Sequence, residues 1–170
     1  PVAPTMYRNF IFGVSKEDVR KYETAVFYKE EGDSLYFLYE PDLFRRMIRY
    51  DFVDDRLAGI EHYYEELWMA NPYRIIEMAQ DEEMALGKVY GEPDKRDFLW
   101  KDRRYEKIIE AWGRSLYSRD LQIRSTWEKA DARITLMTYF DGNYYQIRYR
   151  IEPSSSVTAP EDKKTNAIDL

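Results

Sequence analysis

The sequence predicts an α+β fold of two similar halves, each a helix packed on antiparallel strands, with the helices on one face of the sheet. Three observations carry that prediction. A capped helix followed by several strands occurs twice, first from Ser15 to about Glu65 and again from Asn71 to Ile151. Each helix begins at a residue able to satisfy its free N–H groups. The strands alternate apolar and polar residues, whereas strands covered on both faces read as continuous apolar runs. One domain is expected at 1–152, with its halves at about 8–66 and 71–152, and a disordered tail or linker at 153–170.

In the first half, Ser15 can accept from the backbone N–H of Asp18, and Val14 and Val19 stand where a hydrophobic staple would place them. The helix should be short, ending near Tyr22 or Glu23. Strands follow at 24–29 and 35–39, separated by Glu30-Glu31-Gly32-Asp33, whose Gly-Asp permits a tight reversal. Over 44–52, Arg46, Ile48, Tyr50 and Phe52 share one face while Arg45, Met47, Arg49 and Asp51 share the other. A turn at 53–56 leads into a strand at 57–65.

In the second half, Asn71 is a good N-cap and Pro72 suits the first helical position, where a missing N–H costs nothing. Ile75, Met78, Ala79, Leu86 and Val89 form an apolar stripe that Glu82 interrupts, and Gly91 with Pro93 beyond it ends the helix near Tyr90. A short strand is expected at 98–101. Tyr105, Ile108, Ile109, Trp112 and Leu116 recur at helical spacing and predict a third helix between about 102 and 116. Leu121, Ile123, Ser125 and Trp127 then alternate with polar residues. Asp141-Gly142 joins strands at 132–140 and 143–151 as a hairpin, with Tyr145, Ile147, Tyr149 and Ile151 facing inward. Trp100 and Trp127 are expected in the core, and exposure of Trp68 or Trp112 would be informative.

A chain of 170 residues with 44% hydrophobic and 16% aromatic content can bury a core without disulfides or metal. It has no cysteine, which excludes a disulfide framework, a thiolate nucleophile and cysteine zinc sites. Its one histidine, His62, leaves most metal sites and catalytic triads without their imidazoles. A net charge of -6 argues against nucleic acid as a partner, and no apolar run approaches the roughly 20 residues of a membrane span. No cofactor and no metal are expected. A chain starting at Pro1 rather than Met is expected to be a processed or excised form.

Single residues with chemical potential have simpler structural uses. His62 reads as a strand histidine bonded to a neighbour rather than a general base. Asp54-Asp55 reads as a turn, and Asp81-Glu82-Glu83 as a mostly solvated helix segment. The stronger constellation comes from strand alternation. With apolar faces inward, Arg45, Arg49, Arg124, Arg133, Arg148 and Arg150 point outward together with Met47, Tyr139 and Tyr144. Guanidinium groups fork around planar anions and stack on rings, so this surface suits a protein or an anionic component. Asp51, Glu61, Glu65 and Glu128 point the same way, and cross-strand ion pairs would neutralise the face.

The run Phe12-Gly13-Val14-Ser15-Lys16-Glu17-Asp18-Val19 resembles the Gly-x-Ser/Thr-x-Glu-x-Val helix start of small exported bacterial domains. Tyr90-Gly91-Glu92-Pro93 followed by Trp100 resembles the helix exit and next strand of the same group. That group is the uncharacterised secreted or lipid-anchored envelope proteins. More distantly, the order of elements is similar to outer-membrane assembly lipoproteins and the β-lactamase-inhibitor-like fold. The resemblance implies an extracytoplasmic, periplasmic or secreted α+β protein and no particular activity. Two departures stand out: 102–119 is longer than a simple hairpin loop, and no lipidation cysteine is present.

The function expected is therefore a non-enzymatic extracytoplasmic binding or envelope-assembly module that holds a protein or an anionic envelope component on its exposed sheet face or in the groove between its halves. The alternative is a small-molecule carrier or sensor with a pocket lined by Tyr36, Tyr50 or Tyr145. A hydrolase using His62 and a carboxylate ranks third.

Overall fold

A computed structural model of the chain describes residues 7–39 and 43–154. The elements run α1 (Lys16–Tyr22), β1 (Val26–Glu31), β2 (Ser34–Leu38), β3 (Arg46–Val53), β4 (Arg56–Tyr64), α2 (Tyr73–Tyr90), β5 (Lys95–Trp100), a 3-10 turn (Ile109–Ala111), α3 (Trp112–Tyr117), β6 (Leu121–Glu128), β7 (Ala132–Phe140) and β8 (Tyr145–Pro153). All strands join one antiparallel eight-stranded sheet in the order β1-β2-β3-β4-β8-β7-β6-β5. The described residues thus form an α+β fold with three helices. No helix among the described residues is long and apolar enough to cross a membrane.

Local chemistry accounts for most boundaries. Ser15 accepts from the Asp18 amide at 3.1 Å, and Val19 is fully buried with Val14 packed near it. Both turn residues between β3 and β4, Asp54 and Asp55, have positive φ, the geometry that matches a tight hairpin to strand twist. Asn71 accepts from the Tyr73 amide at 3.1 Å, while Pro72 already has helical dihedrals and precedes α2. Gly91, at φ 83°, closes that helix by donating to the Gly87 carbonyl.

One core cluster contains Val19 of α1, Ile75, Ile76, Ala79 and Leu86 of α2, and Leu116 of α3. It joins them to Leu35, Ile48, Tyr50, Ile60, Trp127, Ile134, Leu136, Tyr145, Ile147 and Ile151 of the sheet. Those strand residues share one side, here called the helix side. The residues between them, among them Arg49, Glu61, Arg124, Met137 and Arg148, face the other way onto the open face.

Several expectations need correction. The third helix is only Trp112–Tyr117 after a 3-10 turn, because 102–108 runs through turns in which the Asp102 carboxylate accepts from the Arg104 amide. Ile108 and Ile109 are half exposed, so their helical spacing does not report burial. Gly113 lies within α3, where an added Cβ would stand 2.4 Å from the Pro72 carbonyl carbon. β5 begins at Lys95, before the expected 98, and β8 begins at Tyr145 and continues through Pro153. Ser154 then donates to the Asp131 carbonyl, so 153 and 154 belong to the folded part; the remainder of the expected tail, 155–170, lies outside the described residues. Val89 extends the spacing of the α2 stripe yet is exposed, while Ile76 and Glu82 are buried. Trp127 is buried as expected and donates to the Gly91 carbonyl at 2.8 Å, whereas Trp100 and Trp112 are half-buried and Trp68 is half exposed.

Candidate functional site

The outward arginines predicted from alternation are built mainly on β3, β6, β7 and β8, and each has a carboxylate partner. Arg45 pairs with Glu65, Arg124 with Asp97 and Arg133 with Glu128. The remaining three fuse into one network across β3, β4 and β8. Arg49 reaches Asp51 at 3.0 Å and Glu61 at 2.5 Å; Arg148 meets Glu61 at 2.6 Å; Arg150 bridges Asp51 at 2.7 Å and Glu152 at 3.3 Å. Ser34 of β2 donates at 2.6 Å to the Asp51 oxygen that Arg49 approaches, and Arg150 meets the other oxygen.

Register explains why these residues meet. Arg49 lies opposite Glu61, and Glu61 opposite Arg150, so alternate charges fall in one row across the strands. Gly59, in register with Asp51, has no side chain, and the Arg150 guanidinium lies in that space: a Cβ at Gly59 would stand 2.3 Å from an Arg150 nitrogen. Although burial raises the pKa of Asp51, the bonds from Ser34 and Arg150 and the charge of Arg49 hold it below the usual carboxylate range. Burial opposes the charge of Arg148 and Arg150 too, yet their carboxylate partners raise both above the ordinary value.

Aromatic groups flank the network. The Arg148 guanidinium lies 5.1 Å from the Tyr63 ring centroid, and burial pushes the Tyr63 phenol up to about 12. Beside them is a depression of about 530 Å³ lined by Glu61, Gln122, Thr135, Met137, Tyr139, Arg148, Arg150 and Glu152. Arg45 and Tyr144 lie outside the strands: Arg45 precedes β3, and Tyr144 sits in the β7–β8 turn, where its amide donates to Asp141. Met47 lies on the open face but is buried, in register with Leu38 and Tyr63.

On the helix side, His62 is buried with its ring stacked on Tyr149 at 4.4 Å and 14°. Its Nδ1 has no hydrogen-bond partner among the described residues, so the bonded histidine expected from the sequence is instead held by packing. Burial, together with the charges of Arg8 and Arg46, holds its pKa well below the ordinary value. Glu82, the break in the α2 stripe, meets Arg46 at 2.6 Å, and Arg46 is the polar member of the inward face of β3. Glu23 accepts from Arg8, Tyr50 and the Ala25 amide; burial raises its pKa, but these donors hold it below the ordinary value. No group of acidic or histidine side chains among the described residues could hold a metal ion.

A second hollow, of about 550 Å³, lies between α2 and strands β5, β6 and β7. Ile76, Ala79, Phe98, Trp112, Ile123 and Leu136 supply apolar walls, and Gly87 leaves its helix wall open, with nothing within 4 Å of an added Cβ. No tyrosine lines it. Tyr50 and Tyr145 are packed in the core, and Tyr36 faces away from the core on β2, so none of the three lines this hollow.

No protein-family model matches this sequence, and no curated protein or solved structure matches it.

Proposed function

We propose that the protein is a non-enzymatic binding module that presents the open face of its sheet to a protein partner. One observation carries the reading: the Arg49–Asp51–Glu61–Arg148–Arg150 network spans three strands beside a depression of about 530 Å³. Side chains held by mutual ion pairs lose little rotamer freedom on binding, and arginine and tyrosine are the residues most often decisive at protein interfaces. A protein partner is favoured over a simple anion. The arginines Arg49, Arg148 and Arg150 are balanced by Asp51, Glu61 and Glu152, so the face offers patterned charge rather than excess positive charge.

In this reading the chain is two helix-plus-strands halves meeting at β4 and β8, which brings the network to the middle of the sheet. The helix start from Phe12 to Val19 supports an extracytoplasmic, envelope-associated setting by resemblance. The test is capture of partners from envelope extracts by the folded protein, set against an Arg148→Glu, Arg150→Glu double variant. Thr135→Arg, which fills the depression without removing a charge pair, is the second variant. Loss of the same partner with both variants is expected, and equal recovery by all three proteins removes the open face from consideration.

The hollow under α2 favours a second reading, a carrier for a small amphiphilic molecule. Trp112 lines it, so saturable quenching of tryptophan fluorescence by such a ligand, abolished by Gly87→Leu, supports that reading.

A further inference from the structure

The two edges of the sheet are built differently. β1 is guarded: its register shifts at Tyr28, between Phe27 and Lys29, and the Arg20 and Arg45 guanidinium groups lie 5.1 Å from the Phe27 and Tyr28 ring centroids. Glu30 is engaged by Lys16 and Arg20. Bulges and charges of this kind are how natural sheets keep an edge from pairing. β5 has no bulge, and its charges, Lys95, Arg96 and Asp97, stand together at its start, in ion pairs with one another or with Glu83, Glu92 and Arg124. It pairs with β6 without a register shift and leaves Phe98 and Leu99 40% and 41% exposed.

The hydrogen-bonding phase of β5 follows from one bond. The Lys101 amide donates to the Asp120 carbonyl, continuing the register in which Trp100 faces Leu121. With a two-residue period, Leu99 and Asp97 also bond toward β6, so the amides and carbonyls of Phe98 and Trp100 point out of the sheet. Outside the β5–β6 ladder, no backbone group among the described residues bonds to them.

We propose that β5 pairs antiparallel with β5 of a second copy of this chain, on a two-fold axis passing beside Leu99. The run Asp97-Phe98-Leu99-Trp100-Lys101 is complementary to itself in that register. Asp97 lies opposite Lys101, which has no ion-pair partner among the described residues; Phe98 lies opposite Trp100; and Leu99 lies opposite its own copy. A shift to centre the axis on Asp97 would set like charges face to face, and one centred on Phe98 would oppose Lys95 to Lys101. Phe98 and Trp100 exchange backbone hydrogen bonds in the paired state, as strand addition at a free edge does. The axis runs through the sheet, so both open faces look the same way and the dimer is bivalent toward anything that binds there.

The test uses the full chain, whose lack of cysteine makes introduced thiols unambiguous. Residues opposite each other at such an axis have Cα atoms about 4.5 Å apart, within the range a disulfide spans. Leu99→Cys is expected to cross-link to dimer under mild oxidation, and Asp97→Cys, displaced from its own copy, to remain monomeric. Sedimentation is expected to show a dimer in the micromolar range. Leu99→Lys, which sets like charges across the axis, should weaken it by more than about tenfold. Phe98→Pro removes only an outward donor and should abolish it with the circular dichroism of the fold retained. A chain monomeric throughout that range overturns the proposal. So does a dimer untouched by Leu99→Lys and Phe98→Pro, or equal cross-linking by the two thiol variants. Slow, concentration-independent exchange of the Phe98 and Trp100 amides would mean that another segment or partner occupies the edge, and would overturn it as well.

Discussion

The two faces of the sheet solve opposite problems with the same backbone. On the helix side, Ile60, Trp127, Ile134 and Ile147 are removed from water by helix residues such as Ile75 and Leu116. Charged groups there are held in pairs such as Arg46 with Glu82 and Arg8 with Glu23. On the open face the alternate residues of the same strands carry charge, and each predicted arginine is neutralised by a carboxylate in register or next to it. Stability should therefore reside on one side, where burial dominates, and specificity on the other, where partly hydrated ion pairs contribute little to folding.

The largest expected effect breaks the comparison if it fails. Trp127→Ala removes a fully buried ring and its bond to the Gly91 carbonyl, and should lower unfolding free energy by about 3 to 5 kcal/mol in urea titration. A loss under about 1 kcal/mol would mean that the helix side is not where stability is held.

Acid comes next. His62 is neutral in the fold and its pKa lies well below 6.5, so the unfolded chain binds more protons once pH falls under that value. Stability should be complete above pH 6.5 and decline below it by up to about 1.4 kcal/mol per pH unit. Glu23 and Asp51, lowered from 4.5 and 3.8, add their losses only in more acid solution, as pH drops through their folded values. His62→Phe should flatten the curve between pH 6.5 and the carboxylate range, and an unchanged slope there would place the proton uptake elsewhere.

On the open face, a double-mutant cycle between Arg148 and Glu61 should return about 0.5 to 1 kcal/mol, because the Arg148 side chain retains 25% exposure and water screens the pair. A coupling several times larger would make the network a folding determinant and erase the contrast between the faces. An effect of similar size has the opposite sign. Gly87→Ala adds a methyl group at a helical position with nothing within 4 Å, and should stabilise by about 0.5 to 1 kcal/mol in thermal unfolding.

What could be read without coordinates was whatever depends on neighbours in the chain. The Ser15 cap, the Asn71-Pro72 helix start, the Gly91 exit and the outward set of arginines follow from backbone chemistry and from a two-residue period. Where that local logic was extended too far, it failed. Helical spacing over 105–116 made an α-helix only from Trp112 on, since Ile108 and Ile109 found nothing to bury them, and Val89 stayed exposed for the same reason. Pairing across the sheet had to be decided by tertiary structure. Nothing in the order of residues says that β4 lies beside β8, yet that choice brings Glu61 to Arg150 and leaves Gly59 under its guanidinium. The same holds for Glu82 and Arg46, each visible as a polar intruder on an apolar stripe and each costly to bury alone. Periodicity determines which face a side chain takes; only the assembled sheet, by bringing distant strands within about 5 Å of each other, determines which charge it meets.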